Sequence, residues 1–214
     1  MQPVRPETLA FLAPGLLHQL GNILFTVQGN AQAWNGAGDP SRERAAILHA
    51  AERGSHTLRV LRCLLGDPAA LPAAANDLLQ QLGELLRVPV REARHMLELR
   101  CSADESGAPA VAVDPPDFCT MIVEAVRSLL AVVPAGVHGT VVLDLCSQTS
   151  RKTTVRVLFQ PPSGALPFPL AGAELLERMR PSDLNLRGRP AVAAHAMGLE
   201  IVFGTRGGVR EAEV

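Results

Sequence analysis

His18 and Asn22 lie one helical turn apart in the run Leu16-Leu17-His18-Gln19-Leu20-Gly21-Asn22-Ile23-Leu24. An imidazole near neutral pH is a base, a nucleophile or a metal ligand. An amide at i+4 lies beside it on a helix and can hydrogen-bond to it. At about 100° per residue, Leu20, Ile23, Val27, Ala31 and Trp34 fall within about 60° of Leu16 and form one apolar stripe. His18 lies about 200° from Leu16 on the same count, so it is expected to face solvent or a partner rather than a core.

The face around His18 is unusual for a solvated helix. Between Thr8 and Trp34 there is no charged residue. Pro14, Gly15, Gly21 and Gly29 keep the surface small, and Phe11 and Phe25 fall on the same side as the histidine. Small residues and two aromatics around an exposed imidazole predict a docking surface. The partner-contact residues expected on it are Phe11, Gln19, Gly21 and Phe25, with Asn22 as the polar neighbour of the ring.

No other constellation competes with this one. His49 and His56 are seven apart, so they share a face with no third ligand. His95, His138 and His195 have no acid or cysteine at ligand spacing. Cys63, Cys101, Cys119 and Cys146 form no C-x-x-C pair and read as reduced thiols. No metal site is expected.

The elements that position His18 follow from the pattern. The chain has 214 residues, of which 47% are hydrophobic but only 3% aromatic, so a large core must be built from Leu, Val and Ala. A net charge of −1 argues against nucleic-acid binding through a basic field. The apolar runs fall short of the ~20 residues a bilayer span needs, and no signal-peptide pattern is evident. A cytoplasmic protein is expected.

A first helix is predicted over Thr8–Trp34, a break over Asn35–Pro40, and a second helix over Ser41–Leu65 with Ser41 as its N-cap. The second stripe is Ile47, Ala51, Gly54, Leu58, Leu61 and Leu65. Two such helices make an antiparallel hairpin, and two copies can cover both stripes in a four-helix bundle. A homodimer is therefore expected. Gly66–Pro72 reads as a linker, dividing the chain into 1–66 and 67–214.

Beyond the linker, helices are predicted over Asn76–Leu86 and Asp117–Val132. Strands are predicted over Met96–Cys101, Val141–Leu145, Val155–Phe159 and Leu199–Phe203, and short helices over Leu175–Met179 and Pro190–Met197. Helices with an antiparallel sheet make an α+β fold.

Leu17-His18-Gln19-Leu20-Gly21-Asn22-Ile23-Leu24-Phe25-Thr26-Val27-Gln28-Gly29-Asn30-Ala31 resembles the H-box helix of bacterial sensor histidine kinases. The second helix, with Ala50-Ala51-Glu52-Arg53, is similar to its partner in the dimerisation and phosphotransfer domain. The element order after Gly66 resembles the kinase ATP-binding domain, an α/β sandwich. The resemblance implies His18 as phosphoacceptor.

The departures are specific. Placing Val133-Pro134-Ala135-Gly136 on the family's turn after the N-box helix sets Glu124 and Ser128 where the family has two asparagines. In place of Asp-x-Gly-x-Gly stands Gln160-Pro161-Pro162-Ser163-Gly164. In place of the glycine-rich phosphate loop stands Leu186-Arg187-Gly188-Arg189-Pro190, whose proline offers no N–H. The family's acid after the histidine is Gln19 here, which is no base.

A degenerate nucleotide site follows, with no ATP cofactor expected. The function implied is a histidine phosphotransferase of the dimeric kinase-derived type, shuttling phosphoryl groups between receiver-domain aspartates of response regulators, with magnesium supplied by the receiver. The alternatives are a non-catalytic dimeric pseudo-kinase that sequesters a receiver or kinase, and an ATP-dependent kinase with divergent loops.

Overall fold

The computed structural model describes residues 5–34, 39–66, 73–101, 112–148, 152–162, 172–179, 184, 186, 190–195 and 197–204. Helix α1 spans Pro6–Trp34 and α2 spans Pro40–Leu64. They form the expected hairpin, with Ile23 of α1 against the open position at Gly54 of α2. The cap of α2 is Asp39 rather than Ser41: its carboxylate accepts from the Ser41 N–H at 2.9 Å. Pro40, at the first turn, has no N–H to satisfy. The helix ends at Gly66, whose φ of +77° is easy only for glycine.

Helix α3 spans Ala75–Glu92, six residues beyond the predicted end at Leu86. It runs through Pro89 because Val88, Pro89 and Val90 are all buried, and packing outweighs the cost of the proline. This extension carries Arg87 and Arg91 on two successive turns. Helix α1 rests on α3 at Gly15, where an added Cβ would lie 2.0 Å from the Leu85 carbonyl oxygen. The two backbones are in contact there, and only glycine fits.

Strands β1 (Ala73–Ala74) and β3 (Ala112–Val113) form a small antiparallel pair. The main sheet contains β2 (Met96–Cys101), β4 (Thr140–Gln148), β5 (Lys152–Gln160), β6 (Ala191–His195) and β7 (Gly198–Gly204) in the order β2-β4-β5-β7-β6. It is mixed rather than antiparallel, since β2 runs parallel to β4. Helix α4 (Pro115–Val132), capped by Asp114, and α5 (Gly172–Met179) pack with α3 over it. Along β5, Thr153, Val155, Val157 and Phe159 are buried and alternate with half-buried or exposed residues. On the outer face Arg156 pairs with its cross-strand neighbour Glu200 at 2.8 Å. This is an α+β layering.

The predicted helix over Pro190–Met197 is the edge strand β6. Its alanines favour a helix locally, but β6 folds back onto β7 with His195 opposite Gly198. Tertiary pairing overrides local propensity there.

One continuous core joins the hairpin to the sheet. Leu12 of α1 and Val60, Cys63 and Leu64 of α2 belong to the same buried cluster as Leu78, Phe118, Ile122 and Phe159. Cys63 and Cys119 are buried, unbridged thiols. A hydrogen bond between them, and then burial, push the Cys119 thiol well up, away from the reactive thiolate.

Candidate functional site

His18 is exposed on α1, away from the core. The Asn22 side-chain nitrogen lies 3.0 Å from His18 Nε2. With the amide as donor, Nε2 is the acceptor, and the neutral ring then carries its proton on Nδ1. Asn22 is held in turn by its backbone, since Thr26 Oγ1 donates to the Asn22 carbonyl at 2.8 Å. Gly21 is exposed and open, with nothing within 4 Å of an added Cβ. Phe25 is 79% exposed, and Leu17 and Leu24 flank the histidine at 71% and 68%. The outer face of α1 that carries the imidazole is therefore largely apolar and uncovered in the single chain.

Two of the expected contact residues take other places. Phe11 is half-buried and packs against the core, because α1 dips into the molecule below Gly15. Gln19 is only 6% exposed. Its Nε2 donates to Glu84 Oε2 of α3 at 3.3 Å, and its Oε1 accepts from Arg53 Nη2 of α2 at 2.9 Å. Gln19 is thus a clamp among three helices, not a surface contact. An amide suits this position, since one end meets a carboxylate and the other a guanidinium. The apolar stripe also differs from the expected one. Leu20 and Trp34 are 38% and 48% exposed, and the buried line is Thr8, Leu12, Gly15 and Gln19.

Beside His18 opens a cleft of about 450 Å³, bounded by α1, Arg53 of α2, Arg87 and Arg91 of α3, and the start of β2. Arg87 pairs loosely with Glu84 at 3.3 Å. His95 lines the cleft; its Nδ1 is buried without a partner and its ring stands edge-on to Phe159 at 5.3 Å. Burial first, and the charge of nearby His138 second, push the His95 ring below the usual histidine range. It is a neutral group. The sequence pattern offered no signal for Arg87 and Arg91, because they fall after the point where α3 was expected to stop.

In the middle of α4, Glu124 is fully buried, accepts from Thr8 Oγ1 of α1, and pairs with Arg127 at 2.7 Å. Ser128, also buried, has no partner for its hydroxyl. Of the two positions expected to stand in for asparagines, Glu124 is therefore built into the contact between α1 and α4. The segments 163–164 and 187–189, expected to replace the nucleotide loops, lie outside the described residues. Among the described residues no group of three or more His, Cys, Asp or Glu could hold a metal ion. By length and composition alone α1 could cross a membrane, contrary to the short apolar runs expected. Near its N-terminus Leu12 lies in the core, with Leu9, Phe11 and Leu16 packed against it.

No family model and no curated protein matches the chain. Among solved structures, a bacterial phosphotransferase is 14% identical, with 95% of this chain and 98% of that one covered and a TM-score of 0.36. The Acinetobacter baumannii histidine kinase AdeS is 15% identical over 88% of this chain and 96% of its own, with a TM-score of 0.36. The histidine kinase ThkA in complex with the response regulator protein TrrA is 12% identical over 93% of this chain and 62% of its own, with a TM-score of 0.40. At scores of this size the likeness says nothing of activity.

Proposed function

We propose that the protein is a histidine phosphotransferase, with His18 relaying phosphoryl groups between receiver-domain aspartates of response regulators. The observation that carries the reading is an exposed imidazole, set on the uncharged outer face of a helix that is anchored in the core through Leu12. The Nε2 lone pair attacks phosphorus of an aspartyl phosphate. The P–O bond to aspartate breaks, and the carboxylate leaves with the electron pair. The reverse step onto a second aspartate restores both groups. Magnesium belongs to the receiver.

This chemistry explains why Gln19 is tolerable beside the nucleophile. A neutral imidazole attacks through a nitrogen that carries no proton, so no base is required. The leaving carboxylate, with an ordinary pKa near 4, requires no acid at neutral pH. Asn22 must swing off Nε2 to free the lone pair, and can then donate to a phosphoryl oxygen. Glu124, held against α1 through Thr8, supports a second half that scaffolds rather than binds ATP. The exposed Leu20 of α1 and Leu48 and Leu58 of α2 would be covered by a second copy in a four-helix bundle. The relay would operate in the cytoplasm.

The test is label transfer from a receiver phosphorylated on aspartate. Wild type should acquire acid-labile label, and His18→Ala should acquire none. If the alanine variant is labelled as well as wild type, the proposal fails. Receiver binding without label in either protein would instead favour a sequestering role.

A further inference from the structure

The cleft beside His18 contains three guanidinium groups, on Arg53, Arg87 and Arg91, against one carboxylate, Glu84. The carboxylate is already engaged by Gln19 and Arg87. Arg53 is oriented by the Gln19 oxygen, so its charge is positioned without being neutralised. Arg91 is exposed and has no side-chain partner among the described residues. His95, nine-tenths buried at the cleft, has an unsatisfied Nδ1, and its neutral ring adds no charge. The chain as a whole carries a net charge of −1, so this excess of positive charge is local. It borders a helix face that has no charge between Thr8 and Trp34.

We propose that this cleft is a phosphate subsite adjoining His18, with Arg91 and Arg53 as its principal cationic groups. Guanidinium groups present a planar fork of donors that matches phosphate oxygens. A cleft between two elements lowers the local dielectric and concentrates their field. The dianionic group has two sources of identical chemistry. One is orthophosphate from solution. The other is the phosphoryl group borne on the imidazole, and this second source rests on the phosphoacceptor reading of His18. In that role the arginines are positioning residues. They hold the phosphoryl oxygens while the nitrogen–phosphorus bond is intact and before the next receiver arrives.

The experiment has two arms on the full chain, and neither uses a receiver. In the first, inorganic phosphate is titrated calorimetrically into wild type, Arg91→Gln and Arg91→Glu. Arg91 is exposed and has no side-chain partner among the described residues, so both variants should fold as wild type does, which a urea midpoint checks. Affinity should fall roughly fivefold in Arg91→Gln, as expected for loss of one partly exposed charge-assisted contact, and further in Arg91→Glu.

In the second arm, His18 is phosphorylated with phosphoramidate, which places its phosphoryl group on the ring nitrogen and releases ammonia. The phosphorus resonance is then followed against pH. The groups facing the phosphoryl are Arg53, Glu84, Arg87, Arg91 and His95. The nearby guanidinium groups should keep its proton affinity at least about twofold lower in wild type than in Arg91→Glu. A change in the first arm alone assigns the subsite to free phosphate, and a change in the second alone assigns it to the phosphohistidine. Equal behaviour of wild type and both Arg91 variants in both arms overturns the proposal. Failure of receiver-to-His18 transfer would remove the relay and leave the first arm standing.

Discussion

Substituting Gln19→Glu places a carboxylate where the Gln19 amide now donates to Glu84 at 3.3 Å. The donor is lost and two carboxylate oxygens face each other. Coulomb's law at that separation gives about 1 kcal/mol at the dielectric of water and about 5 kcal/mol at the effective value near a protein surface. The Glu84 side chain is 51% exposed, which pulls the figure toward the lower end. The Arg53 guanidinium, 2.9 Å from the other oxygen of residue 19, gains an ion pair and offsets part of the loss. The net cost works out at about 1 kcal/mol at pH 7.

Urea unfolding of wild type, Gln19→Glu, Glu84→Gln and the double variant closes a thermodynamic cycle. The double variant restores a donor to the pair, so it should recover most of the loss, with a coupling of about 1 kcal/mol. The deficit of the single variant should also shrink as pH falls toward the ordinary carboxylate range near 4, where one acid of the pair takes up a proton. A Gln19→Glu protein as stable as wild type at pH 7, or a cycle with no coupling, would refute the clamp.

Three further outcomes follow from the packing and the charges. Gly15→Ala drives a methyl group to 2.0 Å from the Leu85 carbonyl oxygen and should cost about 2–3 kcal/mol by urea unfolding, as overpacking against backbone does. The His95 ring titrates below its unfolded value because of burial and His138, so its contribution to stability is complete above about pH 6.5 and is lost as pH falls toward the lowered native value. His95→Leu should flatten that slope in midpoints measured between pH 5 and 7.5. In the proposed dimer, Leu20→Arg combined with Leu58→Arg places charge on the hairpin face that a second copy would cover and should reduce the mass seen by sedimentation to that of one chain.

The long periodic elements could be read from the sequence because their own side chains specify them. The hairpin helices, α4 and the β4–β5 pair fall within a few residues of their expected bounds. The misjudged parts depend on distant partners. Helix α3 passes Pro89 because sheet and helices bury its last turns, and β6 is a strand because β7 lies beside it. The parallel placement of β2 next to β4 likewise leaves no mark in either strand.

The site divides in the same way. His18 and Asn22 were legible as a pair because one helical turn joins them. Gln19 was not, because its partners are Arg53 and Glu84, 34 and 65 positions away. A side chain adjacent to the exposed histidine in sequence turns out to point into the protein, as neighbours about 100° apart on a helix can. Arg87, Arg91 and His95 come from a helix extension and a strand entry that only the folded arrangement brings toward α1.

The shared core of hairpin and sheet bears on how such a protein can be inherited. A chain cut after Gly66 would leave Leu12, Val60, Cys63 and Leu64 without the residues that now enclose them. The remainder would lose the contact of α1 with α4, including the bond from Thr8 to the buried Glu124. Neither half is therefore a portable cassette, and a gene fusion joined at the linker would bring an uncovered apolar surface with it. Substitutions at Gly15, Gln19 or Leu12 have to answer to both halves at once. The helix that presents His18 is accordingly free to vary on its outer face and constrained on its inner one.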